Sequence, residues 1–254
     1  MEKATAITTE RVFPGLTPTE MKDFGLTYPP TQDELPYSDG EPMESNLHVL
    51  QMFLLIETLK RHWAGRDDVF VGGNMFVYFS PHQVRTHDFR GPDFFAVQGV
   101  RKRERKSWVV WEEEKQPDVV IELLSDSTEA RDKDEKKLIY QDRLRVPEYF
   151  LFHPVTCELL GYAMRNGIYE PVQPDAHGRL ISEQLQLALI QWDGVYGEEE
   201  ARWLRFATRD GKLLPTGDEY AQQIQDQADS ERNRARELEA MLAKYREQFG
   251  ELPK

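Results

Sequence analysis

Gln116-Pro117-Asp118-Val119-Val120-Ile121-Glu122-Leu123-Leu124-Ser125 is an apolar run of strand length with one carboxylate, Glu122, set inside it. Burying an unpaired carboxylate is expensive and drives its pKa upward. Glu122 is therefore either paired or coordinating something, and the flanking sequence can be searched for its partner.

Downstream, Thr128 to Arg145 carries a helical pattern in which Asp132, Lys136 and Tyr140 share one face at i, i+4 and i+8. Taken alone, Asp132 and Lys136 read as a surface ion pair worth a few tenths of a kcal/mol. Val146–Phe152 is the next strand. Reached through a helix, it is expected to pair parallel with the Glu122 strand by a right-handed crossover.

Upstream, Val69–Phe79 and Phe94–Val100 read as strands rich in Val, Phe and Tyr. Asp93 follows the Gly91-Pro92 turn and directly precedes the second of them, so it is either a turn aspartate or a strand-end ligand. Arg101-Lys102-Arg103-Glu104-Arg105-Lys106 precedes the strand-like Ser107–Trp111. That basic run is expected at a hairpin tip, as a solvated loop or a phosphate contact. Ser45 suits an N-cap for a helix over Leu47–Trp63, ended by Gly65. The helix is too apolar for a surface and must pack on a sheet. Glu44 at its start suits the helix dipole, and His48 lies in its first turn.

The 254 residues, 39% of them hydrophobic and 11% aromatic, suffice for one sizeable domain with an appendage. A formal net charge of −13 argues against a protein that coats polyanions generally, but leaves room for a nucleic-acid enzyme with a local basic patch and metal ions. Cys157 is the only cysteine, so no internal disulfide forms and a reducing compartment is expected. Met1–Pro14 lacks a signal-peptide core and no run reaches transmembrane length. The expectation is a cytoplasmic protein without membrane contact.

Residues 1–43, rich in Pro, Thr, Asp and Gly, read as an irregular arm with one short helix near Thr17–Phe24. Residues 44–216 form the main domain. Within it, Cys157–Met164, Gly167–Val172, Arg179–Ile181, Leu187–Trp192 and Arg202–Phe206 read as an antiparallel extension of the sheet. Residues 217–254 shift to Glu, Gln, Arg and Ala. There Ala221, Ile224, Ala228, Glu231, Ala235, Leu238, Leu242, Tyr245 and Phe249 keep an a/d heptad register. A long C-terminal helix is expected, pairing as a coiled coil in a homodimer or folding back on its own domain.

Two carboxylates on adjacent strands bring several oxygens to one point, which suits Mg²⁺ or Mn²⁺. A lysine reaching that point orients water and offsets charge on phosphorus, the chemistry of metal-assisted phosphodiester hydrolysis. Gly91-Pro92-Asp93, Pro117–Ser125, Asp132…Lys136…Tyr140 and Val146-Pro147-Glu148-Tyr149-Phe150 together resemble the Uma-two family of restriction endonuclease-like proteins, within the PD-(D/E)XK superfamily. The resemblance covers residues 40–155 tightly and the strands to 216 loosely.

The resemblance implies a mixed α/β, restriction-endonuclease-like core with a central mixed sheet flanked by helices. Asp93 would match the second-motif acid and Glu122 the third, both as metal ligands. The superfamily lysine normally stands two residues after the third-motif acid, where this chain has Leu124. The lysine would then come from the following helix, where Lys136 occupies the family position, with Lys137 beside it as the competing candidate. Glu44, or its competitor Glu41, would match the first-motif glutamate. Asp118 shares the Pro-Asp dipeptide, but four extended residues set it roughly 13 Å from Glu122, too far to share one metal directly. Arg101, Lys102, Arg103 and Lys137 are the candidate DNA contacts.

The expected function is thus a Mg²⁺-dependent DNA endonuclease using Asp93, Glu122, Lys136 and Glu44. A non-cleaving nucleic-acid-binding or assembly protein that keeps the fold and acts through its C-terminal helix is the alternative, and hydrolysis of another phosphate ester is a third.

Overall fold

Segments rich in Val, Ile and Phe form the strands, because branched and aromatic side chains suit a pleated, buried surface. The computed structural model describes Leu35 and residues 45–80, 89–125 and 132–250. The arm over 1–43, Leu35 apart, and its expected helix lie outside the described residues. In chain order come α1 (Asn46–His62), β1 (Val69–Gly72), β2 (Val77–Tyr78), β3 (Phe89–Arg90), β4 (Phe94–Gln98), β5 (Trp108–Val109) and the short α2 (Val110–Glu113). Then follow β6 (Val119–Leu123), two π-helical segments, π1 (Asp132–Lys136) and π2 (Ile139–Leu144), and β7 (Glu148–Phe152). The chain continues through β8 (Leu159–Arg165), β9 (Ile168–Pro171), β10 (Leu180–Ser182), β11 (Leu187–Tyr196), β12 (Glu199–Ala207) and α3 (Gly217–Phe249).

The central sheet has the order β1-β4-β6-β7-β8-β9. All its neighbours are antiparallel except β6 and β7, which run parallel with Glu122 opposite Leu151. This is the pairing expected of a strand–helix–strand crossover. Alternation along β6 sends Val119, Ile121 and Leu123 to one core, with Leu55 and Leu59 of α1. Val120 goes to the other, with Tyr140, Tyr149 and Leu151.

Three expectations need correction. First, β8 and β9 do extend the sheet, but β10, β11 and β12 form a second, antiparallel sheet. Leu180, Leu189, Leu204 and Phe206 pack into the same core as Ile121 and Leu123, so these strands cover the α1 side of the central sheet. Alternation alone cannot separate an extended sheet from a second layer. The buried Gln51 of α1 fastens that layer: its amide donates to the Leu204 carbonyl at 2.9 Å and accepts from the Leu204 N–H at 2.8 Å.

Second, Val69–Phe79 is broken over Gly73–Phe76, where Asn74 takes φ +46°. β2 joins a small sheet with β3 and β5, and only Trp108–Val109 of the expected strand 107–111 is extended before α2 begins. β4 and β5 therefore lie in different sheets, and the basic run Arg101–Lys106 crosses between sheets instead of capping a hairpin. Third, the helical pattern after β6 is wound over π1 and π2 with wider i→i+5 turns. Residues four apart still lie on one side of such a segment, so spacing does not distinguish it from an α-helix.

α3 is long, as expected, but no residue of it is buried, so among the described residues it does not fold back on its own domain. Only its root is tied down. Thr216 and Glu219 form a capping box, and Glu219 Oε1 accepts from the buried Arg205 at 2.8 Å. No helix among the described residues is long and apolar enough to cross a membrane.

Candidate active site

β6 is buried along its whole length, and the two acids of its stretch serve different ends of it. Asp118, just before the strand, accepts from the Gln98 N–H at 2.6 Å and pairs with Lys115 at 3.2 Å. It locks β4 to β6 at the end away from Glu122, which is a structural role.

Glu122 is 1% exposed. Its Oε2 accepts from Lys136 Nζ at 3.1 Å and its Oε1 from the Tyr140 hydroxyl at 2.7 Å. π1 and π2 thus deliver two side chains, four residues apart, to the two oxygens of one carboxylate. A buried carboxylate so engaged is tolerable where an unpaired one would not be. Burial, reinforced by the neighbouring Glu122 charge, pushes the Tyr140 hydroxyl well above its ordinary pKa, so it remains a protonated donor. Lys136, with a side chain 17% exposed, is engaged with the strand and is not a solvated surface lysine.

Asp93 reaches the same region from β4. The register Phe94↔Ile121, continued by one residue, sets Asp93 opposite Glu122. Asp93 Oδ2 accepts the Leu123 N–H at 2.7 Å, and Oδ1 accepts from His48 Nε2 at 2.9 Å. An ionised carboxylate only accepts, so the Nε2 facing it carries the proton. His48 is held in the first turn of α1, where Ser45 Oγ accepts the His48 N–H at 3.2 Å. The backbone of Asp93 is also confined. Gly73 lies so close that a Cβ there would sit 2.2 Å from the Asp93 carbonyl oxygen, and the Asn74 N–H donates to the Pro92 carbonyl at 3.0 Å.

The candidate DNA-contacting cations lie elsewhere. Arg103 pairs with Glu113 at 2.7 Å and Glu112 at 3.5 Å. The buried Arg105 grips both oxygens of Glu113 and lies over Phe70 and Trp108. Burial would raise the Glu113 carboxyl, but Arg105 and Arg103 hold it below its ordinary pKa. Arg101 accepts from Arg105 through its carbonyl, and the Lys102 N–H donates to the Asp67 carbonyl. Lys102, Arg103, Lys106 and Lys60 edge a cavity of about 740 Å³ whose wall includes Trp63, Phe70 and Gly73. That cavity and the Asp93 site therefore share Gly73. Lys137 places its Nζ 3.7 Å from the centroid of the Tyr162 ring and has no contact with Glu122 of the kind Lys136 makes. Glu44 and Glu41 lie outside the described residues.

Asp93 and Glu122 supply hard oxygen donors, because a carboxylate offers two oxygens with about four lone-pair sites between them. Among the described residues no group of three or more His, Cys, Asp or Glu is arranged to hold a metal. Mg²⁺ usually takes only one or two carboxylates, completing its shell with waters and substrate phosphates, so this two-acid set fits it. Sequence reasoning did not find Gly73 and Asn74, although Gly-Gly-Asn between two apolar runs is a turn signal. The Leu123 N–H is a backbone group without any signature in the sequence.

The mixed sheet of this α/β protein brings two acids from neighbouring strands close to a lysine from the following helical segment. The family model described as "Uma2: Putative restriction endonuclease" matches residues 21–193, and the chain belongs to that family. Among solved structures, a chain described as a putative nuclease belonging to DUF820 from Anabaena variabilis is 18% identical with a TM-score of 0.40; the match covers 58% of this chain and 87% of that one. No curated protein matches.

Proposed function

We propose that the protein is a metal-dependent DNA endonuclease that hydrolyses phosphodiester bonds at the Asp93–Glu122 site. The observation that carries this reading is the pairing of Lys136 with Glu122, which stands opposite Asp93 in the continued β4–β6 register. Leu124 stands where a lysine is usual, and the π-helical segment supplies the cation instead. Asp93 and Glu122 would hold Mg²⁺ or Mn²⁺, which contributes Lewis-acid stabilisation of phosphoryl charge and a more acidic water. Lys136 orients the attacking water and offsets charge growing on the phosphoryl oxygens. Tyr140 and His48 act through the acids, fixing the orientation of Glu122 and Asp93. Glu44, directly before the Ser45 cap, completes the set in this reading. Lys102 and Arg103 would meet the DNA backbone along the cavity edge, with Arg101 beside them in the chain and Lys137 as further phosphate contacts.

Cleavage of supercoiled plasmid with and without millimolar Mg²⁺ or Mn²⁺ tests the proposal. Metal-dependent nicking that is lost in Asp93→Asn and in Glu122→Gln is expected; undiminished cleavage by either variant refutes the assignment. The non-cleaving alternative draws on the engagement of all four carboxylate oxygens within the protein. It predicts no metal-dependent rise in Tm, whereas a metal-binding enzyme gains stability as the ion is added.

A further inference from the structure

We infer that α3 pairs antiparallel with α3 of a second copy of this chain. The helix runs for 33 residues with none buried, yet Ile224, Leu238, Leu242, Tyr245 and Phe249 stand largely exposed on the a/d stripe. Helices of this kind draw most of their stability from packing an apolar face. Here the chain's own described residues offer no surface for it beyond the root.

The stripe is lopsided. Its N-terminal half is small, with Ala221, Ala228 and Ala235, and its C-terminal half is bulky, with Leu238, Leu242, Tyr245 and Phe249. Tyr245 and Phe249 already stack against each other, with ring centroids 5.0 Å apart. A parallel pair would set alanine against alanine in one half and ring against ring in the other, and Glu231 against Glu231. An antiparallel pair with Ala235 opposite Leu238 of the second copy sets Ala228 opposite Tyr245, Ile224 opposite Phe249 and Glu231 opposite Leu242. Each alanine of these layers meets a bulky side chain, Ile224 and Phe249 close the ends, and no charge faces its own kind along the seam.

Charge favours the same direction. Residues 217–233 carry Asp218, Glu219, Asp226, Asp229 and Glu231 against the single cation Arg232, whereas residues 234–249 carry four cations against three carboxylates. Antiparallel pairing lays the acidic half on the more basic one, and parallel pairing lays acidic on acidic. Centred between Arg236 and Glu237, the pair holds the two Thr216 residues roughly 60 Å apart at 1.5 Å per residue. The two main domains would then sit at opposite ends of the rod.

The test uses the full-length chain with Cys157→Ser and a spin label on Gln222→Cys. Sedimentation should report a dimer, and the label-to-label distance should be about 45 Å in the antiparallel pair. A parallel pair with axes 8–10 Å apart would give under ~20 Å. Leu242→Asp should convert the dimer to monomer. A monomeric parent, a short distance, or a dimer that survives Leu242→Asp each overturns the inference.

Discussion

Asp93 accepts the backbone N–H of Leu123 at 2.7 Å, so the acid at the mouth of β4 is hydrogen-bonded to the residue directly after Glu122. The contact takes the place of a ladder bond where the β4–β6 pairing ends. Asp93→Asn keeps an oxygen for that N–H but turns its amide NH₂ towards His48 Nε2, which must take the other tautomer to accept it, and should cost about 1 kcal/mol. Asp93→Ala leaves the N–H without its acceptor and should cost about 1–3 kcal/mol. Both should abolish nuclease activity, since neither retains the charge. Urea denaturation beside plasmid cleavage separates the two effects; an Asp93→Asn protein that still cleaves would remove Asp93 from the chemistry.

Lys136 and Tyr140 divide the two oxygens of Glu122, and their removal should be distinguishable. Lys136→Met strips the cation from a carboxylate that is 1% exposed and should cost about 3 kcal/mol, with kcat falling about 10²–10⁴-fold. Tyr140→Phe should cost about 1–3 kcal/mol and lower kcat by less. The Tyr140 hydroxyl is held protonated by burial and by the Glu122 charge. An alkaline limb in the pH–rate profile therefore belongs to another group and should stay in place in Tyr140→Phe. Lys137→Ala should leave kcat intact and cost about 0.5–1 kcal/mol from the Tyr162 contact. Loss of kcat in Lys137→Ala with retention in Lys136→Met would exchange their roles.

Much of this site was legible in the sequence because a charge inside Val119–Leu123 is conspicuous and because Lys136 and Tyr140 keep one face under either helical winding. The parallel β6–β7 pair was legible for a similar reason, since the connecting segment admits few topologies. Less visible were features that depend on where the chain goes after a strand ends. Whether Leu180–Ala207 extends the sheet or folds over α1 is decided by contacts such as Gln51 with Leu204, 153 residues apart. Arg101–Lys106 reads as a solvated loop until Glu113, on the later α2, gathers Arg103 and Arg105.

Gly73 is required by space alone. A methyl group there would sit 2.2 Å from the Asp93 carbonyl oxygen and 2.8 Å from Ile56 Cδ1; the Ile56 side chain can turn away, but the backbone at Gly73 or Asp93 must move. Gly73→Ala should cost about 1–3 kcal/mol and depress cleavage further than the lost stability accounts for at temperatures where the variant is folded. Gly65, with nothing within 4 Å of an added Cβ, is the control: Gly65→Ala should change stability by no more than ~0.5 kcal/mol. Equal activity in the two folded variants would show that the close approach to Asp93 is without consequence.

The root of α3 should respond to acid. Arg205 beside Glu219, against a smaller opposing effect of burial, holds that carboxyl below its ordinary value of 4.5. A depressed folded-state pKa contributes stability that is present above 4.5 and lost as pH falls through the lower folded value. Between pH 7 and pH 5 the capping box of Thr216 and Glu219 should therefore persist. Below about pH 4 the first turn of α3 should loosen as the Arg205 pairing weakens. Hydrogen exchange of the amides at 219–222, corrected for the intrinsic pH dependence of exchange, reports this directly. Glu219→Gln should already show weakened protection at neutral pH and little further loss on acidification. Protection unchanged by that substitution would place the anchoring of α3 in contacts other than the Arg205–Glu219 pair, with Arg61 over the Tyr220 ring the next to be removed.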